Sequence, residues 1–131
     1  GFTPVISPIS LGEDGRPFNV NADHAALALA AALQVPEMIF LTNVPGVLNG
    51  GAVMAELPAD QAQAMIASGV ISGGMIPKVR SALETVRRGV GRTHILDGTI
   101  PHALLLEIFT HSGIGTMIMQ KRRPYHPGER I

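Results

Sequence analysis

The residues best placed to do chemistry lie in Ser72-Gly73-Gly74-Met75-Ile76-Pro77-Lys78, which runs straight into a helix-forming stretch. A helix N-terminus carries about half a positive charge, so a lysine in the first turn is normally disfavoured. With two glycines before it, the placement makes sense if backbone N–H groups and the ammonium together hold an anion. That chemistry is phosphate binding. Lys78 would neutralise charge on a transferring phosphoryl group. The plain alternative is a surface lysine that simply follows a turn.

A second polar cluster, Asn19-Val20-Asn21-Ala22-Asp23, precedes an alanine-rich segment. Asparagine offers both donors and acceptors, which suits an amide and a carboxylate on a small substrate. Asp23 falls in a first helical turn, where a carboxylate can serve helix stability alone. Ionised, it could also orient Lys78 and any second lysine without touching the phosphate. Thr42-Asn43-Val44-Pro45-Gly46 is either a strand-to-loop turn or a nucleotide contact, with Gly46 permitting close backbone approach to a base or ribose. His24, His94, His102, His111 and His126 are scattered and make no convincing ligand spacing with a carboxylate, so no protein-bound metal is expected. The sequence contains no Walker A loop and no H-R-D or D-F-G kinase set.

These residues need elements to position them. Val5 to Leu11 reads as a strand interrupted by Pro8, followed by a hairpin turn over Gly12 to Pro17. Asn21 is suited to cap a helix over Ala22 to Leu33. That helix is almost all alanine and leucine, so it is expected to be buried on most sides. Met38 to Leu41 is a continuous apolar run, as in a parallel strand covered on both faces. Val47 to Glu56, broken by Asn49-Gly50-Gly51, reads as a small hairpin. A helix follows over Asp60 to Ser68, ended by Gly69.

The glycine loop then enters a helix from about Ile76 to Arg88, with Pro77 at its first position and Gly89 after its end. Ile76, Val79, Leu83 and Val86 recur at helical spacing and should face the core. Arg80, Glu84 and Arg88 repeat along a solvated face. Thr93 to Leu96 and Thr116 to Met119 read as strands, with a helix over Pro101 to Phe109 between them. Alternating strands and helices imply an α/β fold, a mainly parallel sheet with helices on both faces in three αβα layers. Residues 1–119 form one expected lobe, and 120–131, basic and proline-rich, an expected flexible tail. No internal repeat is present.

Composition narrows the function further. The chain has 131 residues, 46% hydrophobic and 15% charged, which fits one folded domain. Net charge is zero, which gives no electrostatic case for nucleic acid or a membrane surface. Cysteine is absent, excluding disulfides and thiol chemistry and fitting a cytoplasmic protein. No apolar run reaches the roughly 20 residues of a bilayer span. The opening Gly1-Phe2-Thr3-Pro4 has neither a basic leader region nor a starting methionine, which raises the expectation of a fragment.

Taken in order, FNVNADHAALALAAAL (18–33), LTNVPGVL (41–48), ISGGMIPKV (71–79) and HILDGTIPHALLLEIFTHSGIGTMI (94–118) resemble the C-terminal half of the acetylglutamate kinases, in the amino acid kinase family. The resemblance implies ATP-dependent phosphorylation of the side-chain carboxylate of N-acetyl-L-glutamate, a step of arginine biosynthesis. It assigns Asn19 and Asn21 to the acylated substrate, Asp23 to organising catalytic lysines and Lys78 to the transition state. Asn43, Val44, Pro45, Gly46, Val47 and Leu48, with Val70, Ile71, Ser72, Gly73 and Gly74, would border ATP. Magnesium would be held mainly by the nucleotide. His94, Glu107 and Gly113 would lie at an effector site for arginine, while a plain surface acid is the alternative for Glu107.

The resemblance also implies what this chain lacks. The family's N-terminal half carries a first catalytic lysine, glycine-rich phosphate loops and a substrate arginine. Alone, the chain is therefore expected to have little or no kinase activity, and to belong to a homo-oligomer when full length. A related acceptor, such as acetylaminoadipate or an aminoacyl carrier protein, remains open within the same class. From another class, a non-catalytic domain binding arginine or a PII-type protein remains open too.

Overall fold

A computed structural model describes residues 1–121. The hairpin forms as expected: β1 (Ile9–Leu11) pairs antiparallel with β2 (Pro17–Asn19) around Gly12 to Arg16. Its first strand starts only after Pro8, which has no N–H to give a ladder. Asn21 then caps α1 (Ala22–Leu33), its Oδ1 accepting from the N–H groups of Asp23 (3.0 Å) and His24 (3.2 Å). Only Leu27 and Ala30 of this helix are buried, so the expectation of burial on most sides fails. Alanine presents so little apolar area that leaving its faces in water costs little.

Next come β3 (Glu37–Thr42) and a small antiparallel pair, β4 (Leu48–Asn49) with β5 (Ala52–Val53), turned at Gly50-Gly51. A short strand unforeseen from sequence, β6 (Glu56–Pro58), leads directly into α2 (Ala59–Ala67). The glycine loop enters α3 (Met75–Arg87), and Arg88 to Gly91 return the chain to β7 (Arg92–Asp97). Last come α4 (Ala103–Phe109) and β8 (Thr116–Met119). All but the first two residues of the expected tail lie outside the described residues.

The main sheet has the order β3-β7-β8-β6. β3 and β7 run parallel, as do β6 and β8, while β7 and β8 meet antiparallel. Side chains alternate across a strand, so β7 shows Thr93 and Ile95 to one face and His94 and Leu96 to the other. Ile95 packs in a core with Val79, Ala82, Leu83 and Val86 of α3. α1 and α2 pack on α3 and share its layer. α4 covers the opposite face, joined to His94 through Glu107. The result is three layers, with the larger core on the α3 side. Among the described residues no helix is long and apolar enough to cross a membrane.

Candidate active site

The N-terminus of α3 is electrostatically unfinished. Gly74 stands at the cap position with no side-chain cap bond, and the first turn holds no acid. Met75 and Ile76 donate back to the carbonyls of Ser72 (3.3 Å) and Gly73 (3.2 Å), whereas the Gly73 and Gly74 amides donate to no acceptor among the described residues. Gly73 is left-handed, with φ +56°, but a Cβ at either glycine would meet nothing within 4 Å. Packing therefore demands neither glycine, and strain accounts only for Gly73. What Gly74 adds is bare, accessible backbone. Lys78 is half-buried in the same turn and has no ion-pair partner among the described residues. Pro77 is third in the helix, not first, yet still within the turn where no N–H is required.

Topology gathers other candidates at this end. α1 and α3 each precede a strand by a short connection, and those strands, β3 and β7, are parallel. Both helices therefore begin near the carboxyl ends of β3 and β7, where open α/β sheets bind ligands. Asp23, half-buried, is in the first turn of α1, as Lys78 is in that of α3. Asn19 is exposed at the end of β2. The Oδ1 of Asn21 is committed to capping, which leaves its amide nitrogen as the group free to donate.

The loop after β3 opens at the same end. Thr42 Oγ1 accepts from the Val44 N–H (3.2 Å) and lies within bonding distance of the carbonyls of Val44 (3.0 Å) and Leu96 (3.1 Å). Asn43, Pro45 and Leu48 are exposed and Val44 half-buried. Gly46 has φ +135°, and a Cβ there would come within 2.6 Å of Thr116 Oγ1. Thr116 also accepts from the Val47 N–H at 2.8 Å. The protein's own packing thus accounts for this glycine. Val47 and Ile71 are core side chains, while Val70 and Ser72 are exposed. Sequence reading missed Thr116, and no local signal could have found it, because it is 69 residues from the amide it holds.

His94, Glu107 and Gly113 come together elsewhere, on the α4 face. Glu107 Oε1 meets His94 Nδ1 at 2.7 Å, and Oε2 accepts from the N–H groups of Ile114 (2.7 Å) and Gly115 (3.0 Å). Both side chains are buried, so Glu107 is not a plain surface acid. Burial pushes its carboxyl up. The hydrogen bonds from His94, Ile114 and Gly115, with the charge of His94, outweigh this and hold it below the ordinary value. Gly113, with φ +62°, packs where a Cβ would lie 2.5 Å from Glu107 Oε2. His94 Nε2 is buried and has no hydrogen-bond partner among the described residues.

A model of the Amino acid kinase family matches residues 1–97. The chain belongs to the amino acid kinase family. An acetylglutamate kinase of Gluconobacter oxydans (strain 621H) is 53% identical over 119 residues, covering 90% of this chain and 40% of that protein. Another, from Heliobacterium modesticaldum (strain ATCC 51547 / Ice1), is 48% identical over 124 residues, covering 92% of this chain and 42% of that protein. The chain thus spans about two fifths of the length of these curated relatives.

Solved structures extend the family likeness. N-acetylglutamate synthase from Neisseria gonorrhoeae, complexed with coenzyme A and L-arginine, gives a TM-score of 0.79 at 30% identity, over 93% of this chain and 30% of that chain. Carbamate kinase from Giardia lamblia bound to AMP-PNP gives 0.62 at 22% identity, over 86% of this chain and 41% of that chain. The second likeness is one of fold alone.

Proposed function

We propose that residues 1–119 are the nucleotide-binding lobe of an ATP-dependent kinase acting on the side-chain carboxylate of N-acetyl-L-glutamate. The observation that carries this reading is the start of α3, with no acid in its first turn and, among the described residues, no partner for the Gly73 and Gly74 amides or for Lys78. The relatives named acetylglutamate kinase support the acceptor. Such a carboxylate is already ionised at neutral pH, so no general base is needed. Phosphoryl transfer then depends on positioning and charge neutralisation, with Mg²⁺ bound chiefly by ATP oxygens. Lys78 neutralises the moving phosphoryl group, Asp23 orients the lysines, and Asn19 and Asn21 take the acylated amino acid. The loops 43–48 and 70–74 border the nucleotide.

The full protein in this reading is a cytoplasmic homo-oligomer whose remaining length supplies the opposing cation and the other wall of the substrate pocket. The chain alone is expected to bind MgATP without turning over N-acetylglutamate. Amide spectra with MgATP should move Gly73 and Gly74 while a coupled assay stays at background. Turnover near that of a full-length relative would refute the half-site reading.

One observation favours a regulatory role beside the catalytic one. The buried His94–Glu107 pair with the Gly113 loop forms a built polar site away from α3. Free arginine is the proposed effector there, in line with the synthase complexed with L-arginine. Both Glu107 oxygens are engaged internally, with His94 and with the Ile114 and Gly115 amides. A PII-type protein is a further proposed partner of the full assembly. Arginine binding with no MgATP binding would favour a purely regulatory domain.

A further inference from the structure

Between α1 and α3 lies a cleft of about 390 Å³, in the size range of small-ligand sites. Its α1 wall is His24, Leu27 and Ala28, and its α3 wall includes Arg80, Ser81 and Glu84. Arg80 is two residues past Lys78, hence about 200° around the helix, and faces away from the proposed phosphate site. Arg88 closes one end of the cleft and is tied to Glu84, its Nε 2.8 Å from Glu84 Oε1. That pair is neutral as a unit. Arg80 has no ion-pair or hydrogen-bond partner among the described residues. An uncompensated guanidinium, a hydroxyl, an imidazole and an apolar strip therefore share one concave surface.

We propose that this cleft binds a small aliphatic carboxylate, its head group on Arg80 and Ser81 and its chain along Leu27 and Ala28. The guanidinium fork matches carboxylate geometry, and the apolar strip selects an organic anion over an inorganic one. This site is independent of the kinase reading and stands if that reading fails.

The test is an amide and histidine-ring NMR titration of the chain at constant ionic strength. The probes are acetate, butyrate and hexanoate, with inorganic phosphate and chloride as comparisons. Saturable shifts are expected at His24, Leu27, Ala28, Arg80 and Ser81. Affinity should rise along the series, by up to about fourfold per added methylene. Arg80→Gln should weaken hexanoate binding by about tenfold or more, with Arg80→Lys between the two, and saturating MgATP should not displace it. A flat series, phosphate binding as tightly as hexanoate, chloride reproducing the shifts, or displacement by MgATP would each overturn the proposal.

Discussion

Glu107 draws three pieces of chain together: β7 through His94, its own helix α4, and the turn into β8 through the amides of Ile114 and Gly115. Removing the carboxylate would strand buried donors, so Glu107→Ala should cost about 3 kcal/mol or more. The sign of its pH dependence follows from the shift. Its carboxyl is held below the ordinary value in the folded state. The stability it adds is therefore complete above the unfolded carboxylate range and lost as pH falls through the folded value. Urea midpoints measured from neutrality into that acid range should drop in the wild-type chain and drop less in Glu107→Gln. Equal acid sensitivity of the two would show that this carboxylate is not under such tension. His94 and Glu107 were candidates from the resemblance to the kinases. Nothing in residue types 13 positions apart would otherwise have paired them.

At the scale of elements, what the sequence made legible was what is local. α3 could be read because Val79, Leu83 and Val86 repeat at helical spacing, and all three are buried. α1 could be read from its cap, since Asn21 spends its side-chain oxygen on two first-turn amides. Asn21→Ala should therefore cost about 1 kcal/mol and raise amide exchange in the first turn of α1 before the rest of the chain. An unchanged melting curve with unchanged exchange would remove the cap from the account. How much of α1 is buried could not be read, because an alanine run carries no directional pattern. β6 was missed for another reason. Its three residues include Pro58 and gain meaning only from β8, more than fifty residues later.

Over the whole molecule, strand alternation indicated the layered α/β fold, but not the antiparallel meeting of β7 and β8 within the sheet. That pairing depends on contacts distant in sequence, which local periodicity cannot report. The two faces of the sheet are covered unequally. α4 leaves Leu105 55% and Phe109 60% exposed, and Leu41 of β3 is 55% exposed. Apolar area of this kind marks interaction surfaces. The isolated chain should therefore associate as concentration rises in sedimentation experiments, and Leu105→Lys with Phe109→Lys should reduce that association. A monomer across the whole concentration range would show that these side chains are tolerated in water.

In the proposed function the start of α3 holds the terminal phosphates of ATP. Calorimetric titration of MgATP into the chain and into Lys78→Ala tests it most directly. Losing a charge-assisted contact to phosphate should weaken binding by about tenfold or more, with the fold retained. Indistinguishable affinities for the two proteins, or no MgATP binding by either, would contradict it.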